Sequence, residues 1–355
     1  SVIEEARKKY DRNDNSVNDD TGVFNRYDLL LQQNSDCIGW ITVPNTNVDN
    51  PVYQTADNDF YLDHNGIKEK SVYGAIFADY RDIISRAGNT KNVTLYGHHM
   101  KDGSMFAQLH RYKNISFYKE NPVITFDTIY GTGGQYKVIG CMITNADNMD
   151  DNGYFFDFAT PSFRSDADFM SWIEQIRRRS LYNTAVDVTT SDEILTLSTC
   201  TYEIKSAELL CVVVARKVRE GESVAVNTGD VTTNSKIIYP QAWYDHFGGV
   251  KPTYADGLYT WVSGDYDRED VNAPGSIAPE SLISDVPTSS EAASSEAVSS
   301  DAASSEAASS EAASSEAPVS SEAPARAPSA NASATAASRS FAWRITSMVG
   351  MPLLR

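Results

Sequence analysis

The chain has 355 residues, 41% of them hydrophobic, and a formal net charge of −18 at pH 7. This length allows one large domain or two small ones. Basic residues form no stripe along the sequence, which speaks against nucleic acid as a partner, and no apolar run reaches the roughly 20 residues that span a bilayer. The chain begins at Ser1 rather than Met, and we expect a membrane anchor to lie in an N-terminal segment missing from it.

The first predicted elements are two helices, which together make an N-terminal helical region over 1–33. Residues 1–11 carry acidic side chains early and basic side chains late, as the helix dipole favours. Residues 23–33 place apolar side chains at helical spacing on one face.

Short apolar or alternating segments then follow at close spacing and predict strands. They lie at 38–43, 48–54, 75–78, 92–98, 123–127, 135–144, 194–201 and 209–214. Pro51 cannot donate to a ladder, so we expect the second of them to be an edge strand. One-sided apolar spacing predicts a long helix over 164–182. Many strands with few helices indicate a mainly β barrel or sandwich over 34–219.

The C-terminal part changes composition twice. Residues 220–275 are aromatic and polar, which predicts an ordered, irregular extension with no role that the sequence reveals. From Ser276 onward a five-residue unit close to Ser-Ser-Glu-Ala-Ala recurs, with almost no large apolar side chains. Such a stretch cannot offset the entropy of ordering, so we predict a disordered spacer over 276–339. The segment 340–355 is short, apolar-rich and of unclear role.

The four cysteines fit no zinc spacing, and we expect free thiols. Cys200 ends a buried strand, where a lone cysteine is more often a packing residue than a nucleophile. A second strand about a hundred residues upstream ends at His98, and a thiol and its proton partner are commonly supplied in this way. His99 is the alternative, although strand alternation would turn it to the other face.

Both stretches resemble a known family. Thr196–Cys200 reads TLSTC and resembles the TLxTC signature of sortases. Tyr96–Phe106 reads YGHHMKDGSMF and resembles the YGHNMKDGSMF segment of class B sortases. Segments 36–41, 51–54 and 57–62 also resemble class B in order and spacing, so the resemblance runs from about Tyr27 to Arg219.

The resemblance implies an eight-stranded sortase β-barrel with N-terminal helices and the helix over 164–182 as the class B insertion. It implies a cysteine transpeptidase on the extracytoplasmic face of the membrane of a Gram-positive bacterium. Such enzymes cut the sorting motif of a surface protein, NPxTN- or PxTG-like in class B, after Thr and hold the product as a thioester. They then pass it to a peptidoglycan amine, less often to a pilin lysine. We expect no cofactor.

By position in the motifs, the resemblance gives roles to six residues. Cys200 is the nucleophile, His98 the general acid and base, and the Thr201 backbone N–H an oxyanion donor. Asn58, Leu62 and Ser198 line the peptide groove. We expect no metal site, and the acidic segment 148–153 is predicted to be a polar turn rather than a calcium loop.

One departure from the family pattern bears on activity. Sortases carry an arginine at the start of the strand after the cysteine, and alignment puts either Leu210 or Glu208 there. Neither can donate a forked, charged hydrogen bond. Arg216 lies far along that strand. Lys205, in the loop between the two strands, is the basic residue that the sequence offers as a replacement for the arginine. This departure motivates two alternatives to an active transpeptidase: a catalytically impaired, sortase-like peptide-binding protein, and a cysteine peptidase that releases its product to water.

Overall fold

The computed structural model describes residues 1–256 and Tyr259, so the predicted spacer over 276–339 and the segment 340–355 lie outside the described residues. The helices are α1 Val2–Lys9, α2 Asp28–Gln33, α3 Ile115–Glu120, α4 Asp166–Arg179 and α5 Gln241–Phe247. The strands are β1 Cys37–Thr42, β2 Asp49–Tyr53, β3 Ile76–Ala78, β4 Ile84–Ser85, β5 Gly88–Asn89, β6 Asn92–Tyr96, β7 Val123–Thr128, β8 Gly134–Asn145, β9 Tyr182–Asn183, β10 Ile194–Thr201, β11 Leu209–Lys217 and β12 Thr232–Thr233. Short 3-10 helices lie at Asn25–Tyr27, Phe60–Leu62, Ala107–Lys113 and Asn148–Asp151.

Eight of the strands close into a barrel in the order β1, β2, β3, β6, β10, β11, β8, β7, and β7 pairs back to β1. Neighbouring strands are antiparallel except for β2 beside β3 and β6 beside β10. The predicted mainly β, eight-stranded barrel is therefore confirmed. Outside it, β4 pairs with β5 and β9 with β12.

Alternation along the strands separates two apolar clusters, as the two-residue period requires. The barrel interior holds the odd-numbered side chains of β10, such as Leu195 and Leu197, together with Val213 and Ala215 of β11. The outer cluster holds Cys200, Leu210, Val212 and Val214 under the helices. Cys200 therefore lies on the outer face of the barrel wall.

The N-terminal helices cover one part of that outer face. Tyr10, which follows α1, stacks on Trp40 of β1 with ring centroids 4.4 Å apart. The predicted first helix is confirmed as α1, which the Ser1 hydroxyl caps by accepting from the Glu4 N–H. The second predicted helix begins later than expected, because Asn25–Tyr27 is a 3-10 turn that leads into α2.

The expected edge strand is wrong, because β2 pairs on both sides. Pro51 lies opposite Trp40 of β1, while the pairing with β3 reaches only Val52 and Tyr53. The missing N–H of Pro51 thus falls outside the β2–β3 ladder, and a short partner strand accommodates proline inside a closed barrel.

The long predicted helix is confirmed as α4, whose buried face includes Phe169, Trp172 and Ile176 and packs on β8. Ser165 caps it by accepting from the Asp168 N–H. In the part of the chain with described coordinates, no helix has both the length and the apolar character needed to cross a membrane.

Candidate active site

The end of β6 and the end of β10 lie side by side. In the parallel β6–β10 pair, Tyr96 is opposite Ser198, and the Gly97 N–H still donates to the Ser198 carbonyl at 3.3 Å beyond the end of β6. Strand pairing rather than sequence proximity therefore brings the segment that begins with His98 to the strand that carries Cys200.

His98 is 2% exposed, and its Nε2 lies 2.6 Å from the Leu62 carbonyl oxygen. A carbonyl only accepts, so Nε2 carries the proton and donates it. The other ring nitrogen, Nδ1, is also buried and has no hydrogen-bond partner among the described residues. Burial lowers the pKa of His98, so the ring is neutral near pH 7 with an open acceptor at Nδ1. A buried imidazole lone pair without a partner is suited to receive a proton during a reaction.

Cys200 is fully buried, and burial raises the pKa of its thiol to about 12. The negative charge of Glu208 raises this pKa further, whereas a hydrogen bond from the Tyr202 side chain lowers it. The resting thiol is therefore protonated at neutral pH, and the nucleophilic thiolate has to be generated when substrate is present.

Three aromatic rings gather at the Cys200 backbone, and sequence reasoning gave a role to only one of them. His99 Nδ1 and His110 Nε2 lie 3.0 Å and 2.9 Å from the Cys200 carbonyl oxygen, so both donate to it. The two imidazole centroids are 4.1 Å apart, and Tyr202 stacks on His99 at 5.2 Å. Burial lowers the pKa of both histidines, that of His110 to about 4, which keeps the rings neutral.

His99 is not turned away from the site as alternation had suggested, because β6 ends at Tyr96 and the rule no longer applies. Tyr202 follows the end of β10, and its position two residues after Cys200 is the one sequence signal that could have found it. His110 follows β6 by fourteen residues in a 3-10 helix, and no local pattern connects it to Cys200.

Register locates the two positions that alignment gives to the family arginine. Leu210 lies directly opposite Cys200 in the β10–β11 pair, while Glu208 precedes β11. Arg216 lies opposite Ile194 at the far end of β10, where Glu222 and Asp187 pair with its buried guanidinium. Arg216 therefore cannot take the place of the arginine.

The three predicted groove residues connect to β6 and β10 through neighbouring groups. Asn58 accepts from the Tyr80 N–H at 2.9 Å and donates to Asp79 at 3.2 Å, which in turn accepts from the Tyr96 hydroxyl. Leu62 supplies the carbonyl that holds His98, and its buried side chain belongs to the same apolar cluster as Cys200.

The remaining predicted residues lie on β10. Ser198 is buried between Tyr96 and Val212, and Thr201 lies opposite Leu209. The Thr201 hydroxyl donates to Glu203, which also pairs with Lys113.

The segment considered as a calcium loop is a 3-10 helix, Asn148–Asp151, that ends at Asn152 in the left-handed conformation. Its acids already have protein donors. Asp150 accepts from the Glu208 N–H, and Asp151 accepts from the Gln241 N–H and pairs with Lys251. Over the described residues, no group of three or more His, Cys, Asp or Glu side chains could hold a metal ion.

A sequence model of the Sortase domain matches residues 41–218, which is half of the chain. The chain belongs to the sortase family. It is 32% identical to the sortase B of Listeria monocytogenes over 203 residues, which covers 57% of this chain and 78% of that protein.

Two solved structures agree with this assignment. A sortase B from Bacillus anthracis in complex with AAEK1 has a TM-score of 0.51 and 33% identity, covering 61% of this chain and 93% of the other. A sortase B–substrate complex from Staphylococcus aureus has a TM-score of 0.52 and 30% identity, covering 61% and 94%. The chain is thus a class B sortase with the barrel of that class, and it is a sortase-type enzyme.

Proposed function

We propose that this sortase is a transpeptidase that cleaves an NPxTN- or PxTG-like motif after Thr. It then joins the threonine carbonyl to a peptidoglycan amine, or less often to a pilin lysine. The observation that carries this proposal is the open Nδ1 of buried His98, which follows β6, the strand paired in parallel with the Cys200 strand. Its partners are surface proteins that bear sorting signals, and it acts on the extracytoplasmic face of the cell membrane of a Gram-positive bacterium.

The first half-reaction forms the thioester. The Cys200 thiol gives its proton to His98 Nδ1 as the sulfur attacks the threonine carbonyl, because a thiol with a pKa of about 12 is a poor nucleophile until it loses that proton. The oxyanion is stabilised by the Thr201 backbone N–H. His98 Nδ1–H then protonates the departing amine as the C–N bond breaks, which leaves the acyl group on sulfur.

The second half-reaction reverses these roles. The incoming amine attacks the thioester carbonyl and loses a proton to His98, and the C–S bond breaks. His98 returns that proton to sulfur, so the enzyme ends with a neutral thiol and a neutral imidazole. A cysteine peptidase would use water in place of the amine, and only added amine distinguishes the two, through the amide product.

Asn58, Leu62 and Ser198 line the groove for the peptide. The support for this assignment is their connection to the β6–β10 wall beside Cys200 and His98. Asn58→Ala, Leu62→Ala and Ser198→Ala should each raise KM for a sorting peptide with a smaller effect on kcat.

A second function is favoured by one observation: Leu210, which one alignment puts at the place of the family arginine, lies opposite Cys200. A class B sortase without that donor can keep its groove and lose turnover. In this impaired, peptide-binding form, Cys200→Ala would bind sorting peptides as tightly as the wild type, and the wild type would form no acyl adduct.

The parts of the chain have different roles in this proposal. Residues 34–219 carry the chemistry, 1–33 support the barrel wall, and the predicted spacer over 276–339 is dispensable for the chemistry. Deleting 276–355 should leave cleavage of a free peptide unchanged. A loss of cleavage on that deletion would contradict this division.

A further inference from the structure

The segment 237–251, which includes α5, lies outside the matched Sortase domain and packs beside the loop that follows Cys200. That loop, residues 202–208, joins β10 to β11 and contains Tyr202, which stacks on His99 and hydrogen-bonds to the Cys200 thiol. We propose that 237–251 is a brace that holds the 202–208 loop, and hence Tyr202, in position for thioester formation.

The first contact of the brace is apolar. Ile204 at the middle of the loop is 3% exposed and packs in a small cluster with Leu209 and Ile143. Tyr239 and Trp243 of the brace pack against that cluster and stack on each other with centroids 4.3 Å apart and planes at 10°. The brace thus covers an apolar loop residue that would otherwise face water.

The second contact is polar and passes through the 3-10 helix Asn148–Asp151. Asp151, which is 4% exposed, accepts from the Gln241 N–H at 2.8 Å and pairs with Lys251. Its neighbour Asp150 accepts from the Glu208 N–H at 2.8 Å. Two adjacent carboxylates therefore connect the brace to the end of the loop. Each of these charge-assisted hydrogen bonds restricts the motion of the loop further.

The brace is itself fixed to the body of the protein. The Ile238 N–H donates to the Arg178 carbonyl at the end of α4 at 2.9 Å, and Ile238 is 3% exposed. The Tyr244 hydroxyl donates to the Ile237 carbonyl and accepts from the Tyr239 N–H, which holds the entry to α5. An element anchored at α4 and in contact with the loop can limit the motion of that loop.

Trp243 and Tyr239 are positioning residues in this account, since they act on Cys200 through the loop. The catalytic consequence rests on the proposed transpeptidase function, whereas the restraint on the loop does not. Two readouts measure the restraint on the loop without relying on catalysis. They are amide hydrogen exchange of residues 202–208 and the rate at which iodoacetamide alkylates Cys200.

The test uses the full chain with Trp243→Ala, and with Val250→Ala as the control. Val250 is an apolar residue of the brace that is 89% exposed. We expect Trp243→Ala to speed exchange of the loop amides by about tenfold, to speed alkylation of the freed thiol, and to slow acylation by a sorting peptide. Val250→Ala should leave all three close to wild type.

Faster exchange confined to residues 202–208 distinguishes loss of positioning from global unfolding, in which exchange rises throughout the barrel. If Trp243→Ala does not fold, Lys251→Met is the second variant, because it removes only the ion pair to Asp151 and keeps the aromatic stack. Wild-type exchange and alkylation in a folded variant would overturn the brace. Faster exchange in a protein that never forms an acyl adduct would keep the brace and overturn the transpeptidase.

Discussion

Leu210 lies directly opposite Cys200 across the antiparallel β10–β11 pair, at one of the two positions that alignment gives to the family arginine. An isobutyl side chain contributes only apolar contact there, and Leu210 is 5% exposed in the same cluster as Cys200. This position therefore supplies no charged donor to a substrate carbonyl.

Restoring a guanidinium at this position should raise activity. Leu210→Arg is expected to speed acylation by a sorting peptide by at least about tenfold, since one oxyanion donor is typically worth a hundredfold or more. Burial of the new charge reduces the gain, because a buried cation loses its hydration. Single-turnover acylation rates measure the effect, with Leu210→Met as the control of similar size.

Equal rates for Leu210→Arg and Leu210→Met would mean that the opposite strand position does not assist the oxyanion. Glu208→Arg tests the other alignment in the same assay. Because Glu208 precedes β11 and its backbone is held by Asp150 and Ala146, we expect a smaller gain from it than from Leu210→Arg.

The pKa of the Cys200 thiol should shift in opposite directions when its two polar neighbours, Glu208 and Tyr202, are replaced. Glu208→Gln removes a negative charge and lowers the thiol pKa, whereas Tyr202→Phe removes a hydrogen bond and raises it. In the wild type, the alkylation rate should climb about tenfold per pH unit up to about pH 9 without a plateau. The reason is that the pKa of this thiol lies far above the ordinary thiol pKa of about 8.5, so the thiolate fraction is still rising there. A plateau near that ordinary value, or the same shift in both variants, would contradict this account.

His98 and His99 should differ in their effect on acylation. His98→Ala is expected to reduce acylation by about a thousandfold, in the range of a lost general acid and base. His99→Phe keeps a ring against Tyr202 and loses only the bond to the Cys200 carbonyl, so a loss below about tenfold is expected. Equal losses would show that His99 shares the proton transfer.

The pH profile of acylation should place its acidic limb below pH 6.5, because burial lowers the pKa of His98 from that value and neutral imidazole is the form that accepts a proton. Activity then falls as pH drops through the lowered pKa. An acidic limb above pH 6.5 would contradict the environment of His98 described here.

The far end of the β10–β11 pair affects stability rather than chemistry. Hydrogen bonds from Arg216, with Lys137 beside it, hold the pKa of Glu222 well below its usual range. A lowered folded-state pKa stabilises the protein above the unfolded value of about 4.3, and this contribution is lost as pH falls through the folded-state value.

Glu222→Gln should therefore cost about 1 to 3 kcal/mol at neutral pH, because buried Arg216 loses one of its two charged partners and keeps only Asp187. The difference from wild type should shrink below about pH 4.3. Urea unfolding at several pH values measures it, and acylation by a sorting peptide should be unchanged. A constant difference across pH would contradict the ion-pair explanation.

The sequence predicted the elements whose apolar period is long and regular, such as α4 and β10, and motif resemblance supplied the barrel. The prediction that the Pro51 strand lies at a sheet edge failed. The short strand β3 pairs only with Val52 and Tyr53, so the ladder needs no N–H from Pro51, and the sequence does not show how long β3 is. His110 was missed, since only the fold brings a residue of Ala107–Lys113 to the Cys200 carbonyl. The role of Trp243 was also missed, because its contact with Ile204 joins positions 39 residues apart in a segment without periodicity.

The most direct measurement is mass spectrometry of the protein incubated with NPxTN-, PxTG- and LPxTG-type peptides, with and without diaminopimelate or glycine oligomers, and with Cys200→Ala as the control. The account predicts an acyl adduct on Cys200 that added amine converts into an amide product, and no adduct in the variant. A folded wild-type protein that forms no adduct with any peptide would contradict the transpeptidase and leave a sortase fold that binds peptides without turnover.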